Sequence, residues 1–387
     1  MIYSFDSTMP NALPLSGSAG SLRAILKAYL VDGAGTSAVS SLTVSGGVAT
    51  AAYGTTHSFR VGSIAQYTGA TPAGLNGLKP IIAATTLTVS FAAPGIPDGV
   101  ATGSISSKLA PAGWAELFGG TANFLALKSA DPASTGMVLR VDDTGTTNAR
   151  IRAYESMSDI NTGSGPVPLD LQLNGGLYWP KSGEVSAAAR PWIMVADSRS
   201  ILLAVSPQGT DRYTLLCAGD IASYKSADAW SFLLTGNQAD QTNASVVPDG
   251  CCGYSGRSAR NGAYLARLHT AVGQSAQTQR VGAHHTGTSA EVYAGLPGYA
   301  WGTYPNGPNN GLLVSPLELF ASGVRGTIPG LLHPVQDCGQ AFATGTVLDG
   351  TDDYVGRKLM AIRVAPPSGG MAAGTVFLDV TGPWGRG

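Results

Sequence analysis

Residues 189–218 read ARPWIMVADSRSILLAVSPQGTDRYTLLCA, and this stretch decides the fold class. Three short runs rich in Val, Ile, Leu, Trp and Tyr, at 189–196, 200–205 and 212–218, are separated by clusters of Ser, Asp, Gly and Pro. Apolar runs this short, bounded by turn formers, have the length of strands rather than of helices. Further runs of the same kind lie at 136–141, 312–320, 358–364 and 375–380. The pattern predicts a mainly β chain with a sandwich- or barrel-like main domain and long polar connections, among them 143–148, 161–168, 237–260, 273–288 and 298–311.

Toward the N-terminus, helical spacing occurs once. Leu22, Ile25, Leu26, Tyr29 and Leu30 fall at i, i+3, i+4, i+7 and i+8, the stripe of one helix face. Ser18 or Ser21 is the expected N-cap of this short helix, and Gly33 or Gly35 its stop. From about 41 to 107 the one acidic residue is Asp98, and strand-like runs at 42–44, 48–53, 63–67, 80–83, 87–91 and 101–106 are joined by Gly-containing turns. A segment of this size suits a small β-barrel or sandwich. The expected organisation is an N-terminal arm and helix (1–40) belonging to the main domain, an inserted β-module (41–107) and the main β domain (108–387). The flanks AGTSAVSS and SSKLAPAGW read as linkers. Residues 1–17, with Pro10 and Pro14 and no periodicity, read as an arm that could pair with a neighbouring subunit.

Composition narrows the function classes. Charged residues are 12% of the 387, where about 25% is usual, while 44% are hydrophobic and the mean hydropathy is +0.11. Such a chain is too apolar for intrinsic disorder, and its 52 glycines have no three-residue period, which excludes collagen. No apolar run is long enough to span a membrane, and MIYSFDSTMP lacks the basic and apolar regions of a secretory signal. A soluble, non-exported protein is therefore expected. The net charge is −1, with 23 basic and 24 acidic residues scattered along the chain. That distribution leaves no footprint for nucleic acid or anionic lipid, and a near-zero charge favours self-association.

Chemistry-bearing residues do not converge on a motif. Cys217, Cys251, Cys252 and Cys338 form neither a disulfide framework nor zinc-ligand spacing. His57, His269, His284, His285 and His333 lack the i, i+4 spacing with Glu of a metalloprotease. Asp142-Asp143 and Asp352-Asp353 are adjacent pairs, and neighbours on a strand point to opposite faces, so neither makes the facing carboxyls of a glycosidase. Both read as turns; the spaced acidic pattern of a calcium loop is absent. No nucleophile elbow occurs. The expectation is no catalytic residue, no cofactor, no metal and no enzyme. Trp114, Trp179, Trp192, Trp230 and Trp384 stand mostly in strand-like contexts and read as core. The run AGLPGYAWGTYPNGPNNG at 294–311 differs: Tyr299, Trp301 and Tyr304 on an exposed loop would form a contact surface for a neighbouring subunit or a glycan.

Several strings, in order along the chain, resemble a group of virion proteins of tailed bacteriophages. They are MIYSFDSTMPNALPLSGSAGSLRAILKAYLVDGAG from Met1, APAGW from Ala110, LRVDDTGTTNARIRAYESMSDINTGSGPVP from Leu139, LYWPKS from Leu177, RPWIMVADSR from Arg190, VRGTIPGLLHP from Val324 and TGPW from Thr381. The resemblance covers roughly 1–36 and 108–387; 41–107 looks like the small β-modules of phage tail and baseplate proteins. It implies a structural protein of the virion, at the tail tip or baseplate, assembled in the infected bacterial cytoplasm. Its partners would be copies of itself, as a trimer, and other tail or virion proteins. The alternatives are a receptor-binding protein for host surface glycan and a head-decoration protein.

Overall fold

The structure is a computed structural model that describes residues 1–120, 123–240, 261–281, 304–305, 310–336, 338, 341–364 and 374–385. The chain is mainly β, with curled antiparallel sheets and a single short helix near the N-terminus. Residues 189–218 supply three neighbouring antiparallel strands, Trp192–Ala196, Ser200–Val205 and Thr214–Asp220. Alternate side chains on a strand face opposite ways, and here both faces are dry. Trp192, Met194, Ile201, Leu203 and Leu216 enter one core, while Ile193, Val195, Leu202, Leu215 and Cys217 enter a second. A strand buried on both sides reads as an unbroken apolar run, which is why this stretch lacks polar alternation.

Among the described residues these strands belong to a 13-stranded sheet whose path begins at Tyr3–Asp6 and ends at Trp114–Phe118. The first core joins it to the helix and to an 8-stranded sheet built from residues between Ala34 and Leu109. The second core joins its other face to a 7-stranded C-terminal sheet through Leu317, Ile362, Val376 and Leu378. A third cluster, with Leu332, Leu359 and Phe377, covers the far side of that sheet. Each fully buried Leu, Ile or Phe contributes roughly 1.5–3 kcal/mol, so the alternation of these strands between cores is what binds the three sheets.

The helix spans Ser21–Lys27 and continues as one wider turn over Ala28–Asp32, ending at Gly33 with φ 80°. Leu22, Ile25, Leu26, Tyr29 and Leu30 are all buried, as the stripe predicts. The start differs from expectation. Gly20, with φ 82°, occupies the N-cap and no side chain of the local segment caps it; the Ser21 hydroxyl donates instead to the Ser16 carbonyl. The acceptor for the Arg23 N–H, at 2.9 Å, is the carboxylate of Asp143, so the cap comes from a residue distant in sequence.

Other segments also depart from their readings. The flanks read as linkers form strands Ala34–Ala38 and Ser106–Leu109, paired in the registers Ala34↔Leu109 and Ser37↔Ser107. Of the run 101–106, only Ser106 lies in a strand. The loop expected at 161–168 contains strand Gly163–Val167, paired with Asn148–Met157. The expected arm is docked on its own chain: Tyr3–Asp6 pairs with Trp192–Ala196, Leu15 bridges Arg190, and Tyr3, Phe5, Met9 and Leu15 are buried. Its apolar side chains outweigh its lack of periodicity.

Where the small sheet curls, Gly69 and Gly103 press together beside the paired Thr71 and Thr102. A Cβ on Gly69, whose φ is 81°, would stand 2.0 Å from the Ser104 carbonyl oxygen. Gly77 has a similar φ of 89° but open space around it. Gly77→Ala is expected to cost about 1 kcal/mol for the left-handed backbone alone. Gly69→Ala should cost at least about 1 kcal/mol more because backbone must move; urea denaturation of the two variants checks the difference.

Candidate interaction groove

A recess of about 1100 Å³ lies where the N-terminal strand, the small sheet and the C-terminal sheet come together. One wall is the strand Tyr3–Asp6, which closes its sheet on that side. Ser7 N–H donates to the Trp192 carbonyl at 3.0 Å. In an antiparallel ladder this sends the backbone groups of Tyr3 and Phe5 to the neighbouring strand and those of Ser4 outward. The opposite walls come from Val61, Ile64 and Pro80 of the small sheet and from Val347 and Met360 of the C-terminal sheet. Val61 is 61% exposed, Met1 58% and Val347 49%, so apolar surface gathers at the rim. Tyr213 is buried at the base; burial, with Asp211 and Asp6 adding, pushes its hydroxyl up to about 12, so it stays neutral.

The charged lining is sparse and partly paired. Arg60 forms an ion pair with Asp6, which also accepts from the Thr8 N–H at 2.8 Å and hydroxyl at 2.6 Å. Lys358 reaches Asp349 at 2.6 Å in a largely exposed pair that contributes little by itself. The Arg60–Asp6 pair ties the small sheet to the N-terminal strand and so helps set the groove's width.

Two buried ion pairs hold the surrounding frame. Lys181 Nζ donates to the Asp143 carboxylate and to the Ser18 and Gly145 carbonyls, and neither side chain is exposed to solvent. Burial dominates both: it pushes the Asp143 carboxyl up, against Lys181 and the helix N–H groups, and pushes the Lys181 amine down, against Asp143. Arg325 grips Asp228 with two nitrogens, one at 2.7 Å, joining the 223–231 loop to the C-terminal sheet. Burial alone would raise Asp228, but the hydrogen bonds from Arg325 and Ser223 and the Arg325 charge outweigh it, holding the carboxyl low.

A third feature escaped the sequence reading. Three guanidiniums stack over rings on one face of the large sheet: Arg140 over Phe124 at 4.8 Å, Arg150 over Tyr178 at 3.9 Å and Arg152 over Tyr154 at 5.7 Å. They donate to the Ile160, Gly176 and Pro168 carbonyls, pinning the segment from Ser158 to Gly176. The signal was present as the period-two spacing of Arg150, Arg152 and Tyr154 in NARIRAYES.

The sequence-derived candidates fall elsewhere. Tyr299 and Trp301 lie outside the described residues. Tyr304 is half-buried, its ring 4.7 Å from that of Phe342, away from the groove. Trp114, Trp179, Trp192 and Trp384 are buried, whereas Trp230 is half-buried under Arg267. Asp143 is a buried ion-pair partner rather than a turn residue. Asp352 and Asp353 do form a tight turn, with Asp352 at φ 52°. His57 is buried, accepting from the Phe59 N–H; His284, His285, Cys251 and Cys252 lie outside the described residues. Among the described residues no three His, Cys, Asp or Glu side chains gather in a metal-binding group. The chain matches no protein-family model and no curated protein.

Lys181→Met should destabilise by about 3–5 kcal/mol, because it strands a buried carboxyl. Adding Asp143→Asn should recover most of that loss, and equal denaturation midpoints for single and double variants would refute the charge-balance account. Asp228 gives an acid-side signature. Its folded pKa lies below the ordinary 3.8, so its contribution is full above that value and is lost as pH falls through the folded pKa. Asp228→Asn should flatten the stability slope below about pH 4, measured by urea unfolding across pH.

Proposed function

We propose that this chain is a structural subunit of a tailed-bacteriophage virion, seated at the tail tip or baseplate and working through subunit contacts rather than catalysis. The observation that carries the reading is the groove: a wide recess with apolar rim residues and few charges, walled by three sheets. Exposed apolar side chains gathered in one recess, unlike ones scattered singly, are a candidate contact site. The ordered strings that resemble those of phage virion proteins support the same reading, with a three-fold assembly as the form expected at a tail tip.

The alternative of a host-glycan receptor rests on Tyr299, Trp301 and Tyr304 together with the acidic pairs, and the one of these rings that is described packs at a tilt against Phe342. Head decoration remains a second location for the same contact chemistry. Gold-labelled antibody against this chain, applied to purified virions in negative stain, is expected to mark the tail end of the particle. Label on the head alone moves the subunit to decoration, and unlabelled particles refute the reading.

A further inference from the structure

The tripeptide Leu-Asn-Gly occurs twice, as Leu75-Asn76-Gly77 and as Leu173-Asn174-Gly175. An asparagine followed by glycine is open to loss of its side-chain amide, because no Cβ on the next residue shields the backbone nitrogen that attacks. On local sequence the two are equal. Tertiary structure separates them.

The Asn76 amide is clamped. Its Oδ1 accepts from the Ala70 N–H at 2.8 Å and its Nδ2 donates to the Ala70 carbonyl at 2.7 Å, so ring closure there must break both bonds. Asn174 is exposed, and its amide makes no hydrogen bond to a described residue. Around it the fold supplies what the reaction needs. Arg150 Nη2 donates to the Asn174 main-chain carbonyl and, at 2.8 Å, to that of Gly176. A cation on that carbonyl polarises the peptide between Asn174 and Gly175 and makes its N–H more acidic. The same N–H donates at 3.3 Å to Asp170 Oδ1, on a carboxyl that the Arg152 hydrogen bond holds below the usual range and ionised. The turn is also braced, by Arg152 on the Pro168 carbonyl at 3.0 Å and Gln172 on the Ser275 carbonyl at 2.7 Å, so these groups keep their places.

We propose that Asn174 is a self-modifying site, at which the Gly175 nitrogen attacks Asn174 Cγ and closes a succinimide. The new bond joins the Gly175 nitrogen to Cγ, and the bond from Cγ to Nδ2 breaks. Asp170 receives the Gly175 proton, which is passed on to the departing nitrogen, and ammonia leaves. Water then opens the ring. Attack at Cγ gives aspartate; attack at the main-chain carbonyl gives isoaspartate, whose free carboxylate is the former carbonyl that Arg150 already holds. Either product places a negative charge beside the Arg150 guanidinium, which favours the ionised form. The inference goes beyond the subunit reading and does not depend on it. It gives the surface a slow, enzyme-free change from a neutral turn to an anionic one.

The test incubates the purified full chain at mildly alkaline pH, digests it, and follows the peptides carrying residues 76 and 174 by mass spectrometry, with aspartate and isoaspartate separated by chromatography. Asn174 should convert at least about tenfold faster than Asn76, the factor expected from the two hydrogen bonds that Asn76 must break. In urea-unfolded chain the clamp and the Asp170 contact are both lost, and the two rates should converge. Asp170→Asn, at an exposed position, should slow conversion of Asn174 in the folded chain with unchanged circular dichroism, and leave Asn76 unaffected. Equal rates at the two sites in the folded chain, an unequal ratio that persists in urea, or an Asp170→Asn chain that converts at the wild-type rate would each overturn the proposal.

Discussion

Two opposite charges, on Asp143 and Lys181, are shut away from water where the N-terminal segment, the helix and the large sheet meet. Burial acts against both, yet every hydrogen-bonding position is used: the amine donates to the Asp143 carboxylate and to the Ser18 and Gly145 carbonyls. The other carboxylate oxygen accepts from the Arg23 N–H, and the Asp143 carbonyl accepts from Gly20. Such a pair contributes little net stability compared with apolar packing. Its effect is to penalise other arrangements, since moving the helix, the 143–148 connection or the end of Leu177–Pro180 would leave a charge buried alone. The large sheet, and with it the wall of the groove, takes its place from that constraint.

The strands were legible because a strand buried on both faces must be apolar at every position, and 189–218 shows this without help from the rest of the chain. The helix face was legible for the same reason, through Leu22, Ile25, Leu26, Tyr29 and Leu30. Its cap was not, because Asp143 is 120 residues from Arg23 and no local pattern records a partner so remote. The strands Ala34–Ala38 and Ser106–Leu109 looked like linkers since they are mostly small and polar; they pair with each other, Ser106–Leu109 pairs in addition with Ile64–Thr68, and Leu109 enters the first core.

The groove was the least legible feature. Val61 and Val347 stand near turn-forming glycines, far apart in sequence, and no local pattern brings them together. They become informative only when tertiary structure places both at the rim of one recess. The scarcity of charge, first useful for excluding nucleic acid, gains meaning here: Asp6, Arg60 and Lys358 are the charged side chains among the residues lining the recess.

The pairing of Ala34 with Leu109 has an evolutionary side. The polypeptide leaves the helix and returns to the main sheet across the width of a single β-ladder, about 5 Å. A crossing that narrow is a natural graft point. The intervening residues could be lost, lengthened or exchanged for another small β unit by joining two neighbouring backbone positions, without re-registering the helix or the sheet beneath it. A lineage built this way can vary one lobe of its surface quickly while the frame stays constant.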